Sequence, residues 1–111
     1  MSKTIDAVTL HNWQTRKQAF VLVDTLPANS YARGHLPGAI HIVSDAILAR
    51  AGTVLLNHDA RIVVYCASED CKRAGLAAER LKRLGYRNVY HFVGGRKAWV
   101  AAGYPLESTS P

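Results

Sequence analysis

Three short apolar runs stand out along the chain: Phe20–Val23, Arg61–Tyr65 and Asn88–Phe92. Each is rich in β-branched or aromatic residues, and the first two are almost continuously apolar. A strand with one wet face alternates polar and apolar positions. An unbroken run instead predicts a strand covered on both faces, as in a parallel sheet. Ala39–Ile42 is a shorter strand candidate, and Ile5–Val8 a candidate edge strand. Between the runs the spacing becomes helical. Ala74, Ala77, Ala78, Leu81 and Leu84 form one stripe of a helix predicted over 72–84, which Gly85 ends. Thr9 can cap a helix through Trp13 to Lys17, and Ser44 a short helix over 44–50. A last helix is predicted over 95–102, with Trp99 facing inward and Gly103 ending it.

Strands alternating with helices predict an α/β fold, with a central, largely parallel sheet of four to five strands. The 111 residues fit a single domain, 1–111, with a flexible tail at 107–111. No repeat, linker or low-complexity tract interrupts it. The N-terminus lacks a signal-peptide pattern, and no stretch approaches the ~20 apolar residues of a membrane helix. These features predict a soluble, cytoplasmic protein with no membrane partner.

Net charge is +6, unevenly spread. Residues 1–60 hold five basic and four acidic side chains, for +1; residues 61–111 hold nine and four, for +5. Such a half can attract an anionic substrate or nucleic acid. Arg73, Arg80, Arg83 and Arg87 fall on one face of the predicted helix, which reads as a solvated outer face. No recognition motif accompanies them, and no nucleic-acid partner is expected.

Sites in parallel sheets lie beyond the carboxyl ends of the strands. There the sequence places Cys66, directly after the second apolar run. Ala67, Ser68, Glu69, Asp70 and Cys71 follow, and then Lys72 and Arg73 open the strongest helix. A helix N-terminus offers free N–H groups and the positive end of its dipole, and these stabilise a thiolate. Cys66 therefore reads either as an activated nucleophile or as an inert, small apolar residue. Glu69 and Asp70 oppose a neighbouring thiolate and are expected to point outward. Cys71 can either attack a persulfide or sulfenate on Cys66, giving an internal disulfide, or pack as a small residue at the helix start; the packing role is favoured. Four residues separate the cysteines, a poor match to a C-x-x-C redox or zinc pair. His11, His35, His41, His58 and His91 lack H-x-x-x-H spacing, so no metal is expected.

Three segments carry a family resemblance. Asp24 ends a strand and is followed by Tyr31 and Gly34-His35-Leu36-Pro37-Gly38-Ala39; Tyr65-Cys66 leads the loop; Gly94-Gly95 begins a segment with Trp99, Gly103 and Pro105. In this order and spacing they resemble the signatures of the rhodanese family. The resemblance implies a rhodanese-like fold with helices on both faces of the sheet. It also implies a sulfurtransferase in which Cys66 attacks a sulfane donor such as thiosulfate and holds the sulfur as a persulfide. Loop residues Ala67, Ser68, Glu69, Asp70, Cys71, Lys72 and Arg73 would bind the substrate, and a thiol, cyanide or protein acceptor would take the sulfur. No cofactor is implied, and a monomer or weak homodimer is expected. His35, Gly38 and Trp99 read as structural.

The chain departs from that pattern at two places. Leu26 stands where family members often carry Arg, and Cys71 stands where the commoner loop has Arg, in a loop that is longer than usual. Two other classes compete. A phosphatase or arsenate reductase on the same fold needs an Arg to clamp an oxyanion bidentately. Lys72 occupies that place, with Arg73 one position beyond, and lysine is a poor bidentate partner. A non-catalytic binding or regulatory module would commonly lack the loop cysteine, and a free-standing chain of this length is expected to have nothing attached to regulate.

Overall fold

The computed structural model describes residues 3–108. The chain runs β1 (Lys3–Thr4), α1 (Ala7–Thr15), β2 (Val21–Asp24), α2 (Ala28–Arg33) and β3 (Ile40–His41). A 3-10 turn (Ser44–Ala46) leads into α3 (Ile47–Val54). Then come β4 (Arg61–Tyr65), α4 (Arg73–Arg83), β5 (Asn88–Phe92) and α5 (Gly95–Ala101). The five strands are all parallel, in the order β1-β5-β4-β2-β3.

Period-two alternation divides the apolar residues of the central strands between two cores. Val23, Ile62, Val64 and Val89 face α3 and α4, where they meet Ile47, Ala51, Ala74, Ala77, Ala78 and Leu81. Leu22, Val63, Tyr65 and Phe92 face the other way, onto Leu10 of α1 and Trp99 of α5. The continuous apolar runs are explained by this double burial. The small alanines of α4 let its backbone approach the sheet closely.

The expected elements hold with corrections at their ends. Thr9 does not cap α1; Asp6 does, its carboxylate accepting from the Thr9 N–H at 2.9 Å. Hydrogen bonding from Thr9, its side chain first and then this N–H, holds the exposed Asp6 carboxyl below its ordinary value. Capping three residues earlier draws Ala7 and Val8 into the helix, so the edge strand is Lys3–Thr4 rather than 5–8. Ser44 does not cap a helix over 44–50 either. It opens the 3-10 turn, its hydroxyl accepts from Arg73 Nη1 at 3.2 Å, and its carbonyl accepts from Arg80 Nη1 at 2.6 Å. Two arginines assigned to a solvated face therefore tie α4 to the turn before α3. Arg87 lies beyond α4 and pairs with Asp59. Leu84 follows the helix end and is partly exposed. Helix α2 was not expected: it buries no residue, so it has no apolar stripe to betray it. Of the tail, Glu107 is tied to His35 by two backbone hydrogen bonds of 2.8 Å, while residues 109–111 lie outside the described residues, as do 1–2.

Candidate active site

In this strand order the chain leaves β2 toward β3 on one side and β4 toward β5 on the other. The direction reverses between β2 and β4, and crevices form beyond the carboxyl ends of strands at such a point. Asp24 and Tyr65 are register partners at those two ends. Asp24 is fully buried, an expensive place for a carboxylate unless it is hydrogen-bonded. Its Oδ2 accepts from the Tyr65 hydroxyl at 2.6 Å and its Oδ1 from the Leu26 N–H at 2.9 Å. The Leu36 N–H donates to the Tyr65 hydroxyl at 3.0 Å. The Thr25 hydroxyl and N–H both donate to the Tyr65 carbonyl, at 2.9 and 3.1 Å. Burial, and then the Asp24 charge, push the Tyr65 hydroxyl far above its ordinary value of 10, so it stays a donor. The residue preceding Cys66 is thus held at both its side chain and its carbonyl.

Tyr65 points into the α1–α5 core, and the next residue, Cys66, turns to the α3–α4 side, where it is 2% exposed. The loop after it is clamped by α5. Arg96 N–H donates to the Cys66 carbonyl and Lys97 N–H to the Ala67 carbonyl, each at 2.9 Å. Gly95 makes this approach possible. Its φ is +63°, and a Cβ there would run into the Cys66 carbonyl oxygen and lie 3.0 Å from Ala67 C and Ser68 N. The Arg96 guanidinium reaches on to the carbonyls of Ser30 and Gly34, at 3.1 and 2.9 Å, which fastens the end of α2 to the same platform.

Cys66 and Cys71 form a disulfide with Cα atoms 6.3 Å apart. The favoured packing role for Cys71 is corrected accordingly: the turn from Ser68 to Cys71, closed by Cys71 N–H donating to the Ser68 carbonyl at 3.1 Å, brings the second sulfur back over the first. Within the loop, no hydrogen bond between described residues uses the N–H groups of Ala67, Ser68, Glu69, Asp70 or Lys72. Among the described residues no side chain caps α4. Glu69, Asp70 and Lys72 are exposed, and Ala67, Ser68, Cys71 and Arg73 half-buried. An open groove of about 260 Å³ runs beside the loop, lined by Ser68, Glu69, Asp70, Gly94 and Lys97. Leu26 is buried in the α3–α4 core, so no basic group extends from that position.

His35 is buried, stacked on Tyr31 with ring centroids 3.9 Å apart, and its Nδ1 lies 2.8 Å from the Tyr31 carbonyl. Trp99 is fully buried, and its indole N–H donates to the Pro105 carbonyl at 2.8 Å. Both are structural. Sequence reasoning passed over the positioning roles of Tyr65, Thr25 and Arg96. Their signal was slight: a tyrosine and an acid ending two apolar runs that become neighbours only in the folded sheet.

Residues 6–102 match the family model described as the rhodanese-like domain. The chain belongs to the rhodanese family. Over 97 residues it is 30% identical to the thiosulfate sulfurtransferase GlpE of Haemophilus influenzae, a match covering 87% of the chain and 89% of that enzyme. Over 108 residues it is 34% identical to the HTH-type transcriptional regulator Rv0324 of Mycobacterium tuberculosis. That match covers 96% of the chain but 46% of the regulator, so the chain spans less than half of that relative. Among solved structures, BH2092 of Bacillus halodurans superposes with a TM-score of 0.87 at 26% identity, covering 97% of this chain and 78% of that one. The rhodanese-like domain of Alr3790 from Anabaena superposes with a TM-score of 0.86 at 28% identity, covering 97% and 80%.

Proposed function

We propose that the reduced protein is a sulfurtransferase that carries sulfane sulfur on Cys66. The observation that carries this reading is the setting of that residue. Cys66 directly follows the central strand at the point where the chain direction reverses, and it opens a loop most of whose N–H groups have no partner among the described residues and which leads to the N-terminus of α4. Such a loop stabilises a thiolate and then the terminal sulfur of a persulfide. The Cys66 thiolate attacks the outer sulfur of thiosulfate, sulfite leaves, and the sulfur then passes from Cys66 to a thiol, cyanide or protein acceptor. The N–H groups of Ala67, Ser68, Glu69, Asp70 and Lys72 form the cradle. The Cys71 N–H is spent in the turn, and the exposed Lys72 ammonium offers charge to an anionic donor. The disulfide masks the nucleophile, so the reaction starts from the dithiol form. The identity to a thiosulfate sulfurtransferase across nearly its whole length supports thiosulfate as donor.

A phosphatase or arsenate reductase is disfavoured by geometry. Arg73 Nη1 lies 3.2 Å from Ser44 Oγ, engaged with the turn before α3 rather than free to clamp an oxyanion. A regulatory role is favoured by one observation, the match of 96% of the chain to part of a transcriptional regulator. The test is formation of sulfite and thiocyanate from thiosulfate and cyanide by pre-reduced protein. Activity that disappears in Cys66→Ser supports the sulfurtransferase; inactive wild-type protein with a fully reduced Cys66 rejects it and leaves the regulatory reading.

A further inference from the structure

The Cys66–Cys71 disulfide has a chemical consequence beyond masking the nucleophile. The two residues sit at opposite ends of one short loop, with Cα atoms 6.3 Å apart, inside the range a disulfide spans. The loop is held from three directions. The Cys66 and Ala67 carbonyls accept from α5, Cys71 closes the turn from Ser68, and Arg73 at the start of α4 is tied to Ser44. The cysteines therefore lie within bonding reach in the fold itself. Their exposure differs: Cys66 is buried and Cys71 is half-buried.

Resting on the sulfurtransferase reading, we propose that Cys71 is a resolving cysteine that discharges the Cys66 persulfide as hydrosulfide, making the protein a dithiol-dependent thiosulfate reductase. The inner sulfur of the persulfide is Sγ of Cys66, the atom that Cys71 bonds in the structure. The Cys71 thiol gives up its proton to the terminal sulfur and its thiolate attacks the inner one; the bond between inner and outer sulfur breaks, and the outer sulfur leaves with the electron pair as hydrosulfide. Hydrogen sulfide is more acidic than an alkyl thiol, which makes hydrosulfide a good leaving group. The protein dithiol is oxidised to the Cys66–Cys71 disulfide, and the sulfane sulfur is reduced to sulfide.

The cycle is closed by an external dithiol. Its thiolate attacks the more exposed sulfur, that of Cys71, and Cys66 leaves as the thiolate favoured by the loop. The second thiol of the reductant then displaces Cys71. In sum, thiosulfate and one dithiol give sulfite, hydrosulfide, the reductant's disulfide and one proton. No sulfur acceptor other than the protein's own second cysteine is required.

The experiment is a single turnover of reduced, desalted protein with thiosulfate in the absence of oxygen and of added thiol. Sulfite, hydrosulfide, protein mass and the state of each cysteine are measured together. Wild-type protein is expected to release hydrosulfide in about equal amount to sulfite. It should end as the intramolecular disulfide with no sulfur retained, the disulfide appearing at the rate of the hydrosulfide. Cys71→Ser is expected to release sulfite, to keep one sulfur atom on Cys66 and to yield no hydrosulfide. Wild-type protein that releases sulfite but keeps its sulfur atom, with Cys71 free to alkylation, overturns the resolving role and leaves the sulfurtransferase intact. Absence of sulfite from wild-type protein overturns both.

Discussion

The hydroxyl of Tyr65 donates to the buried carboxylate of Asp24 at 2.6 Å, one residue before the chain reaches Cys66. Two adjacent strands are thereby locked together at their carboxyl ends, and the lock sets the starting point of the loop. Tyr65→Phe leaves Asp24 Oδ2 and the Leu36 N–H without their partner. It is expected to cost on the order of 3 kcal/mol of stability, since unpaired buried polar groups keep their desolvation penalty. Urea unfolding measures this directly. A variant as stable as wild type would mean that the lock contributes little.

Gly95 is the second structural condition for the loop. Its positive φ and the proximity of Cys66 and Ala67 leave no room for a side chain. Gly95→Ala is expected to destabilise by at least about 2 kcal/mol, through left-handed backbone strain and displacement of the loop. It should also slow sulfite release from thiosulfate, because Arg96 and Lys97 no longer hold the Cys66 and Ala67 carbonyls. Gly103→Ala serves as the comparison. Its φ is also positive, at +89°, but open space surrounds the added Cβ, so strain alone should appear, with sulfite release unchanged.

Burial lowers the pKa of His91 below its ordinary 6.5. The unfolded chain therefore binds this proton at a higher pH than the folded protein does. The contribution of His91 to stability is fully present above the unfolded value and declines as pH falls below it toward the folded one. Unfolding midpoints measured from pH 8 down to pH 5 should drop across that window, and His91→Gln should flatten the drop. An equal slope in the variant would assign the pH dependence to other groups.

Much of the fold was readable because double burial leaves an unmistakable trace. The runs 61–65 and 88–92 coincide with β4 and β5, and the alanine stripe marks α4. What was not readable depended on neighbours distant in sequence. Ser44 is a good capping residue by type, yet Arg73 and Arg80 claim its hydroxyl and its carbonyl. The candidate site divides in the same way. Cys66 follows from its place after a buried strand, whereas the pairing of Cys71 requires the turn from Ser68 and the clamp from α5. The clamp joins residues about thirty positions apart and leaves no local pattern.

The half of the chain from residue 61 onward carries the excess positive charge, and Lys72 stands exposed at the loop. If this charge steers a dianionic donor, the second-order rate of reduced protein with thiosulfate should fall by roughly several-fold between 0.01 M and 0.15 M ionic strength, as screening shortens its reach. Lys72→Glu should lower the rate and weaken the dependence. A rate indifferent to salt would remove steering from the mechanism.

The most direct test of sulfur transfer is the intact mass of pre-reduced protein after thiosulfate, with Cys71→Ser included so that the adduct cannot resolve. A gain of one sulfur atom on Cys71→Ser, absent when Cys66→Ser is added and removed by cyanide, is the predicted result. No gain on Cys71→Ser, with Cys66 reduced and unreactive to alkylation at neutral pH, would contradict a Cys66 persulfide and leave this rhodanese-like domain as a binding or regulatory module.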